Sequence, residues 1–377
     1  MKYRDFGKLG IRGSAFGLGC MRFNGAASGD SIIDEQKAIG LIRRAIDGGV
    51  TYLDTAYVYL NRTSEIVLGK ALRDGYRDRV TIATKMPMEA VHNRAEMEAL
   101  LAEELRKLQT DHIDFYLMHG INREKWEYFK SIGAPRFFDD MKREGKIRYK
   151  CFSFHGPYDE FEFIINDWDW DMVQIQYNFM DVYNQAGTRG LELAGRLGIP
   201  VVIMEGLLGG RLAKAPDNVQ ALYDAFPVKR SPVEWAFRWL CNHPEVATVL
   251  SGCNEAFQID DNLRIFDAVA PNCMTDDELK LMDDVRSAYL SRRKIGCTGC
   301  RYCMPCPNGV NIPGIFSAWN QMSLYNQNPK DNWGYGQIVL NGETADKCVA
   351  CGACEAACPQ HLGIIEALKQ AQRELAF

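Results

Sequence analysis

At 377 residues the chain exceeds one typical domain and leaves room for a large barrel followed by a smaller unit. Hydrophobic residues make up 47%, enough for a sizeable core, while a formal charge of −5 argues against a nucleic-acid partner, which wants a basic patch. No apolar run approaches the ~18 residues of a membrane span, and Met1–Phe6 lacks a signal peptide's apolar core, so no membrane partner and a cytoplasmic location are expected.

Lys2 to Phe6 and Ile11 to Ser14 read as a short hairpin around Gly7-Lys8-Leu9-Gly10. Strand and helix then alternate. Strands are expected at Ala15–Leu18, Val50–Leu53, Val80–Thr84, Ile113–Met118, Ile147–Ser153, Met172–Gln176, Val201–Met204 and Val246–Leu250. Helices are expected at Glu35–Asp47, Glu65–Leu72, Arg94–Leu108, Gly187–Leu197 and Pro232–Cys241. In the third of these, Met97, Leu100, Leu101, Leu105 and Leu108 mark one face. Short apolar strands with helical crossovers predict an α/β protein, a closed parallel (β/α)8 TIM barrel over residues 1–290. An open doubly wound sheet would want Gly-x-Gly-x-x-Gly after its first strand, which is absent. Thr275-Asp276-Asp277-Glu278 opens a further helix as a capping box, and a cysteine-rich tail, residues 291–377, follows.

Three successive strands each deliver a titratable side chain to their carboxyl ends, where barrels keep their active sites. They are Asp54, within Asp54-Thr55-Ala56-Tyr57-Val58-Tyr59, then Lys85 and His119. Reduction of a carbonyl by hydride needs a donor to protonate the developing alkoxide. A phenol, with pKa near 10, needs tuning for that work; a cation beside it favours the phenolate, and a carboxylate holds the cation. Tyr59, Lys85 and Asp54 supply that series, and His119 can hydrogen-bond the carbonyl oxygen. Taken singly, Asp54 reads as a helix cap, Lys85 as a solvated strand end and His119 as a core histidine.

The motifs Asp54-Thr55-Ala56-x-x-Tyr59, Ser64-Glu65, Thr84-Lys85 and Tyr116-Leu117-Met118-His119 resemble those of the aldo-keto reductases. The resemblance implies a barrel binding NADPH or NADH, with Tyr59 as general acid supported by Asp54, Lys85 and His119, and an aldehyde or ketone reduced to an alcohol. It also implies a cofactor track. Ser153 and Gln174 match positions that bind the nicotinamide amide, although the family's Asn after that serine is Phe154 here. Met204 replaces the family's stacking aromatic residue. Gly206, Leu207, Gly209 and Arg211 match the pyrophosphate loop, and Ser251, Asn254, Gln258 and Asn262 match the adenosine segment. Cys20 and Met21 are expected to line the nicotinamide region. Members preferring NADPH place basic residues where this chain has Gly252 and Gln258, so both nucleotides stay open. Trp126, Tyr128 and Phe129 read either as a pocket wall or as loop packing, and Tyr57 as packing.

Eight of the 13 cysteines lie in the tail, which in a cytosolic chain reads as metal binding rather than disulfides. Cys348-x2-Cys351-x2-Cys354-x3-Cys358-Pro359 matches the bacterial ferredoxin run, whose fourth cysteine serves the other cluster. Cys297-x2-Cys300-x2-Cys303-x2-Cys306-Pro307 is one residue short of it. These spacings predict a ferredoxin-like domain with two [4Fe–4S] clusters, one on Cys297, Cys300, Cys303 and Cys358, the other on Cys348, Cys351, Cys354 and Cys306. Paired Cys-x2-Cys zinc sites are the competing reading. The whole arrangement resembles a prokaryotic branch of the aldo-keto reductases. Its clusters either stabilise the fold or pass electrons to an external one-electron carrier, since no flavin motif converts a hydride into single electrons. The alternative is a ferredoxin-coupled electron-transfer protein or redox sensor whose barrel binds a small molecule without turnover.

Overall fold

A computed structural model describes residues 1–23 and 34–375. The strands, numbered here in chain order, are β1 (Phe16–Gly19), β2 (Tyr52–Asp54), β3 (Thr81–Met86), β4 (Ile113–Ile121), β5 (Ile147–Phe154), β6 (Met172–Gln176), β7 (Val201–Met204) and β8 (Val246–Ser251). Each pairs in parallel with its neighbours, and β8 pairs with β1 to close the barrel. Each expected strand is present, and β1–β5 and β8 run longer than expected at their carboxyl ends, β3 and β4 the most. No helix among the described residues is long and apolar enough to cross a membrane.

The N-terminal hairpin, Tyr3–Asp5 paired with Arg12–Ser14, delivers Phe6 into the barrel. Phe6 packs in one layer with Tyr52, Phe115, Leu117, Cys151 and Met172, all buried. Phe115 and Leu117 share that face because strand side chains alternate with a period of two. Gly13 has to be glycine, since a Cβ there would come within 2.6 Å of the Phe6 ring.

The helix Arg94–Leu108 starts on Asn93, whose side chain accepts from Glu96 N. Its buried stripe differs from the expected one: Met97, Leu100, Leu101 and Leu108 are inside, but Leu105 is only half-buried, and Glu104 and Lys107 are buried instead. These polar residues are admitted because they have partners. Tyr116 donates to Glu104 Oε2 at 2.7 Å, and Lys107 pairs with Glu103 at 3.0 Å and Glu65 at 3.5 Å.

The chain divides into two compact units, Met1–Gly209 with Glu234–Thr275, and Gly210–Val233 with Asp276–Phe377. The second gathers the helices Asp217–Ala225, Asp276–Leu290, Ile312–Tyr325, Trp333–Leu340 and Ile364–Glu374. Its core is Val310, Ile315, Phe316, Trp319, Ile364 and Leu368 with their apolar neighbours. Asn320 stitches the entry to the tail, accepting from Lys294 N and Ile295 N and donating to Ile295 O at 2.9–3.1 Å.

Candidate active site

Lys85 lies in β3 with its ammonium buried, and buried ammonium groups need acceptors. Its Nζ donates to Asp54 Oδ1 at 2.7 Å, Thr55 O at 2.7 Å and Tyr59 Oη at 3.3 Å. Three protons thus meet three oxygens. The same nitrogen stands 4.7 Å from the Tyr59 ring centroid. His119, from β4, presents its ring edge-on to Tyr59 with centroids 6.0 Å apart. The structure therefore brings Asp54, Tyr59, Lys85 and His119 around one point.

Burial works to lower the Lys85 pKa, but Asp54 and then Tyr59 outweigh it and the value is raised. Burial raises Asp54, with Lys85 and Gln174 pulling it back. The raised lysine decides the state of the pair: an ammonium held by these oxygens keeps its proton, and a carboxyl 2.7 Å from it is ionised. For Tyr59 the direction is opposite to the acidified phenol expected from the sequence. Burial, joined by the charge of Asp54, outweighs Lys85 and raises the phenol above its ordinary value. Burial, with the cations of Lys85 and Lys125 and nearby His155 adding to it, pushes His119 down to about 3. Its imidazole is neutral at physiological pH.

The loop after β2 is fixed from both ends. Ser64 Oγ donates to Cys20 O at 2.8 Å and accepts from Thr55 Oγ1 at 2.8 Å. Glu65, fully buried, accepts from Thr84 Oγ1 at 2.7 Å. Between Tyr59 and Ser64, Leu60, Asn61 and Arg62 have φ of 51°, 52° and 67°, three successive left-handed residues, none of them glycine. Such backbone is strained by roughly 1–2 kcal/mol per residue, and strain of this kind gathers at functional sites. Tyr57 turns away from the site: its hydroxyl meets Glu103 and Arg62 at 3.3 Å, and Lys107 Nζ lies 4.1 Å from its ring centroid.

His119 is aimed by a bulge that the sequence reading missed. Met118 pairs with Phe152 and Ile121 with Phe154, so β4 carries one residue more than β5. Gly120 absorbs the kink at φ 56°, and its N–H donates to Ser153 Oγ at 2.8 Å. A glycine directly after a strand's titratable residue was the available signal. Ser153 pairs in register with Gln174. Gln174 Nε2 lies 3.8 Å from Met204 Sδ, while its buried Oε1 has no partner among the described residues. That orphaned acceptor suits an amide N–H, so Ser153, Gln174 and Met204 fit a nicotinamide carboxamide.

The remaining candidates fall into four groups. Cys20 is buried, and burial raises its thiol well above the ordinary value; it packs and is not a nucleophile. Met21 is 40% exposed. Asn262 Nδ2 reaches Ser251 Oγ at 3.1 Å and Cys253 Sγ at 3.2 Å, and Gln258 Oε1 accepts from Asn254 N and Glu255 N at 2.9 and 3.1 Å. Gln258 thus serves its own helix cap through its carbonyl. Gly206 permits close approach, since a Cβ there would meet Leu240 at 2.7 Å, and Leu207, Leu208 and Gly209 continue that loop. Arg211 belongs to the second unit, where it donates to Gln321 Oε1 at 2.7 Å. Trp126 and Phe129 are fully buried on the helix Arg123–Ser131, and Tyr128 donates to Val91 O. They are packing residues.

In the second unit, one cavity of about 170 Å³ is lined by Cys303, Cys306, Cys348, Cys351 and Cys354. A smaller one is lined by Cys297, Cys300, Cys303 and Cys358. All eight thiols are free of disulfides. Among the described residues no three His, Cys, Asp or Glu side chains close tightly enough for a single metal ion. The sulfurs surround openings.

A family model described as the aldo/keto reductase family matches residues 15–286, and a 4Fe-4S dicluster domain matches residues 296–362. The aldo-keto reductase YhdN of Bacillus subtilis (strain 168) is 37% identical over 127 residues, 32% of this chain and 38% of that protein. The uncharacterized oxidoreductase YqkF of the same organism is 25% identical over 312 residues, 75% of this chain and 95% of its own. Among solved structures, the holo form of aldo-keto reductase AKR11C1 from Bacillus halodurans matches with a TM-score of 0.62 at 26% identity, covering 76% of this chain and 96% of that one. An aldo-keto reductase from Klebsiella pneumoniae in complex with NADPH gives a TM-score of 0.59 at 24% identity, covering 76% and 95%, a likeness of fold. One match runs over the barrel strands and the other takes up where the cysteines begin, and the chain accordingly belongs to the aldo/keto reductase family, with a 4Fe-4S dicluster domain at its carboxyl end.

Proposed function

We propose that the barrel, residues 1–290, reduces an aldehyde or ketone to the alcohol with NADPH or NADH, and that the tail, 291–377, holds two [4Fe–4S] clusters. The observation that carries the first part is the Lys85 ammonium bridging Asp54 Oδ1 and Tyr59 Oη beside a neutral His119. The fold's likeness to a reductase in complex with NADPH and the orphaned Gln174 Oε1 support the nucleotide. Along the barrel rim, Cys20, Met21, Ser153, Gln174, Met204, Gly206, Leu207, Gly209, Ser251, Asn254, Gln258 and Asn262 would hold it.

A bound reduced nicotinamide supplies the hydride to the carbonyl carbon. The chain's own groups manage the oxygen. His119 donates an imidazole N–H to it, and Tyr59 gives it the phenolic proton as negative charge develops. The raised phenol holds that proton until the oxygen has become basic, and the Lys85 ammonium then stabilises the phenolate left behind. Asp54 fixes Lys85 in place. Tyr59 is reprotonated from solvent, so the balance is one hydride and one proton added across C=O.

For the tail, Cys297, Cys300, Cys303 and Cys358 would hold one cluster, and Cys306, Cys348, Cys351 and Cys354 the other. Openings ringed by several cysteines support a cluster over a single ion. Such clusters supply one-electron chemistry or structural cross-links, and an external one-electron carrier is the partner that the first role requires.

The test is anaerobic turnover of a carbonyl panel by wild type and Tyr59→Phe. The variant should lose about 10²- to 10⁴-fold in kcat while still binding nucleotide. Unchanged turnover would remove Tyr59 from the chemistry.

A further inference from the structure

Arg22 lies three residues beyond β1, partly buried, in a place where its charge has no counterpart among the described residues. It makes no hydrogen bond, ion pair or ring contact with another described residue. Its stem rests on Gly252, just after β8: a Cβ at that position would stand 2.8 Å from Arg22 Cγ and 3.1 Å from its Cβ. At the other end, Nη2 is 3.6 Å from where a Cβ of Gly209, in the loop that follows β7, would be. Gly209 is left-handed, with φ 66°. The guanidinium therefore stands between the loops that follow β7 and β8, and both glycines leave it room.

An unpaired guanidinium is a fork of N–H donors suited to the paired oxygens of a phosphate. In parallel barrels, the loops after the seventh and eighth strands are the recurrent phosphate-holding region. Any side chain at 252 would displace Arg22, so a basic residue cannot be supplied from that position; the cation arrives from the β1 loop instead. We infer that Arg22 is the residue that binds a phosphate of the dinucleotide. The inference rests on the reductase reading of the barrel. The phosphate is either the 2′-phosphate, which only NADPH carries, or the pyrophosphate common to both nucleotides.

The experiment is a pair of binding titrations, NADPH and NADH, on the full-length, cluster-loaded protein under anaerobic conditions. Arg22→Ala should weaken NADPH by about 10- to 100-fold, the loss expected for a charge-assisted pair. A loss confined to NADPH assigns the 2′-phosphate, and an equal loss for both assigns the pyrophosphate. Arg22→Lys should recover part of the affinity, since it keeps charge but not the fork, and added salt should weaken wild type more than Arg22→Ala. Gly252→Ala, which crowds the stem without touching the charge, should copy Arg22→Ala. If Arg22→Ala, with an unchanged melting curve, binds both nucleotides within about twofold of wild type, the inference is overturned and the reductase reading stands. If wild type binds neither nucleotide, both fall.

Discussion

The two candidate sites of this chain are built on opposite plans. In the barrel, the Lys85 ammonium is satisfied by Asp54, Thr55 and Tyr59 at 2.7–3.3 Å, on strands locked into a closed sheet. In the tail, eight cysteines line openings carried by turns, and the supporting core is a handful of residues around Phe316, Trp319 and Leu368. The first site is preorganised by the chain itself. The second presents its thiols from turns packed on that core, and what binds at the thiols should add to their order.

The largest expected effect follows directly. Removing iron with a chelator should cost the segment 297–358 about 100-fold or more in amide exchange protection, while β1–β8 lose less than about tenfold. Equal losses in the two regions, read by hydrogen exchange with mass spectrometry, would break the contrast.

The next test strikes the preorganised site. Lys85→Met leaves the Asp54 carboxylate buried and unpaired, which should cost about 3–5 kcal/mol of stability by denaturant unfolding. Adding Asp54→Leu should restore much of that stability but none of the turnover. Restored turnover would mean that the pair serves packing rather than chemistry.

A subtler readout is pH. In the proposed mechanism Tyr59 is the acid, so its working form exists below its pKa and is lost as pH rises through it. With the phenol raised above its ordinary ~10, the alkaline limb of the reduction rate should lie above about pH 10. In the same mechanism His119 serves as the neutral form, present above its pKa of about 3, and so would add no acid limb near neutrality. A limb between about pH 6 and pH 8 would show that a different group controls the step.

The smallest effect concerns the left-handed run after Tyr59. Asn61→Gly or Arg62→Gly should raise stability by up to about 1 kcal/mol in thermal unfolding, because glycine adopts φ near 52° or 67° without Cβ strain. A fall would mean that the side chains hold the turn.

What could be read in advance follows from the range of the forces involved. Apolar runs place all the barrel strands because a parallel strand is buried on both faces, and strand order alone places Asp54, Lys85 and His119 at one rim. Tertiary partnership is not written locally. Glu104 takes the core position expected for Leu105 because Tyr116, from another element, offers it a hydrogen bond. The direction of the Tyr59 shift depends on how deeply its phenol is buried, which no spacing reveals. Arg211 sits four residues after Leu207, yet lies in the other unit, where it bonds Gln321. Phe316 and Trp319 fill the tail's own core, while Trp333 is 64% exposed.

Ser153 has a consequence of its own. A hydroxyl offers one proton and two lone pairs; here a lone pair is engaged by Gly120 N–H, which holds the kink that points His119, and the proton remains available on the side next to Gln174. Hydrogen bonds joined through one oxygen polarise each other. If the proposed nucleotide amide takes that proton, its binding would tighten the histidine's seat, and nucleotide-first binding would be the expected order.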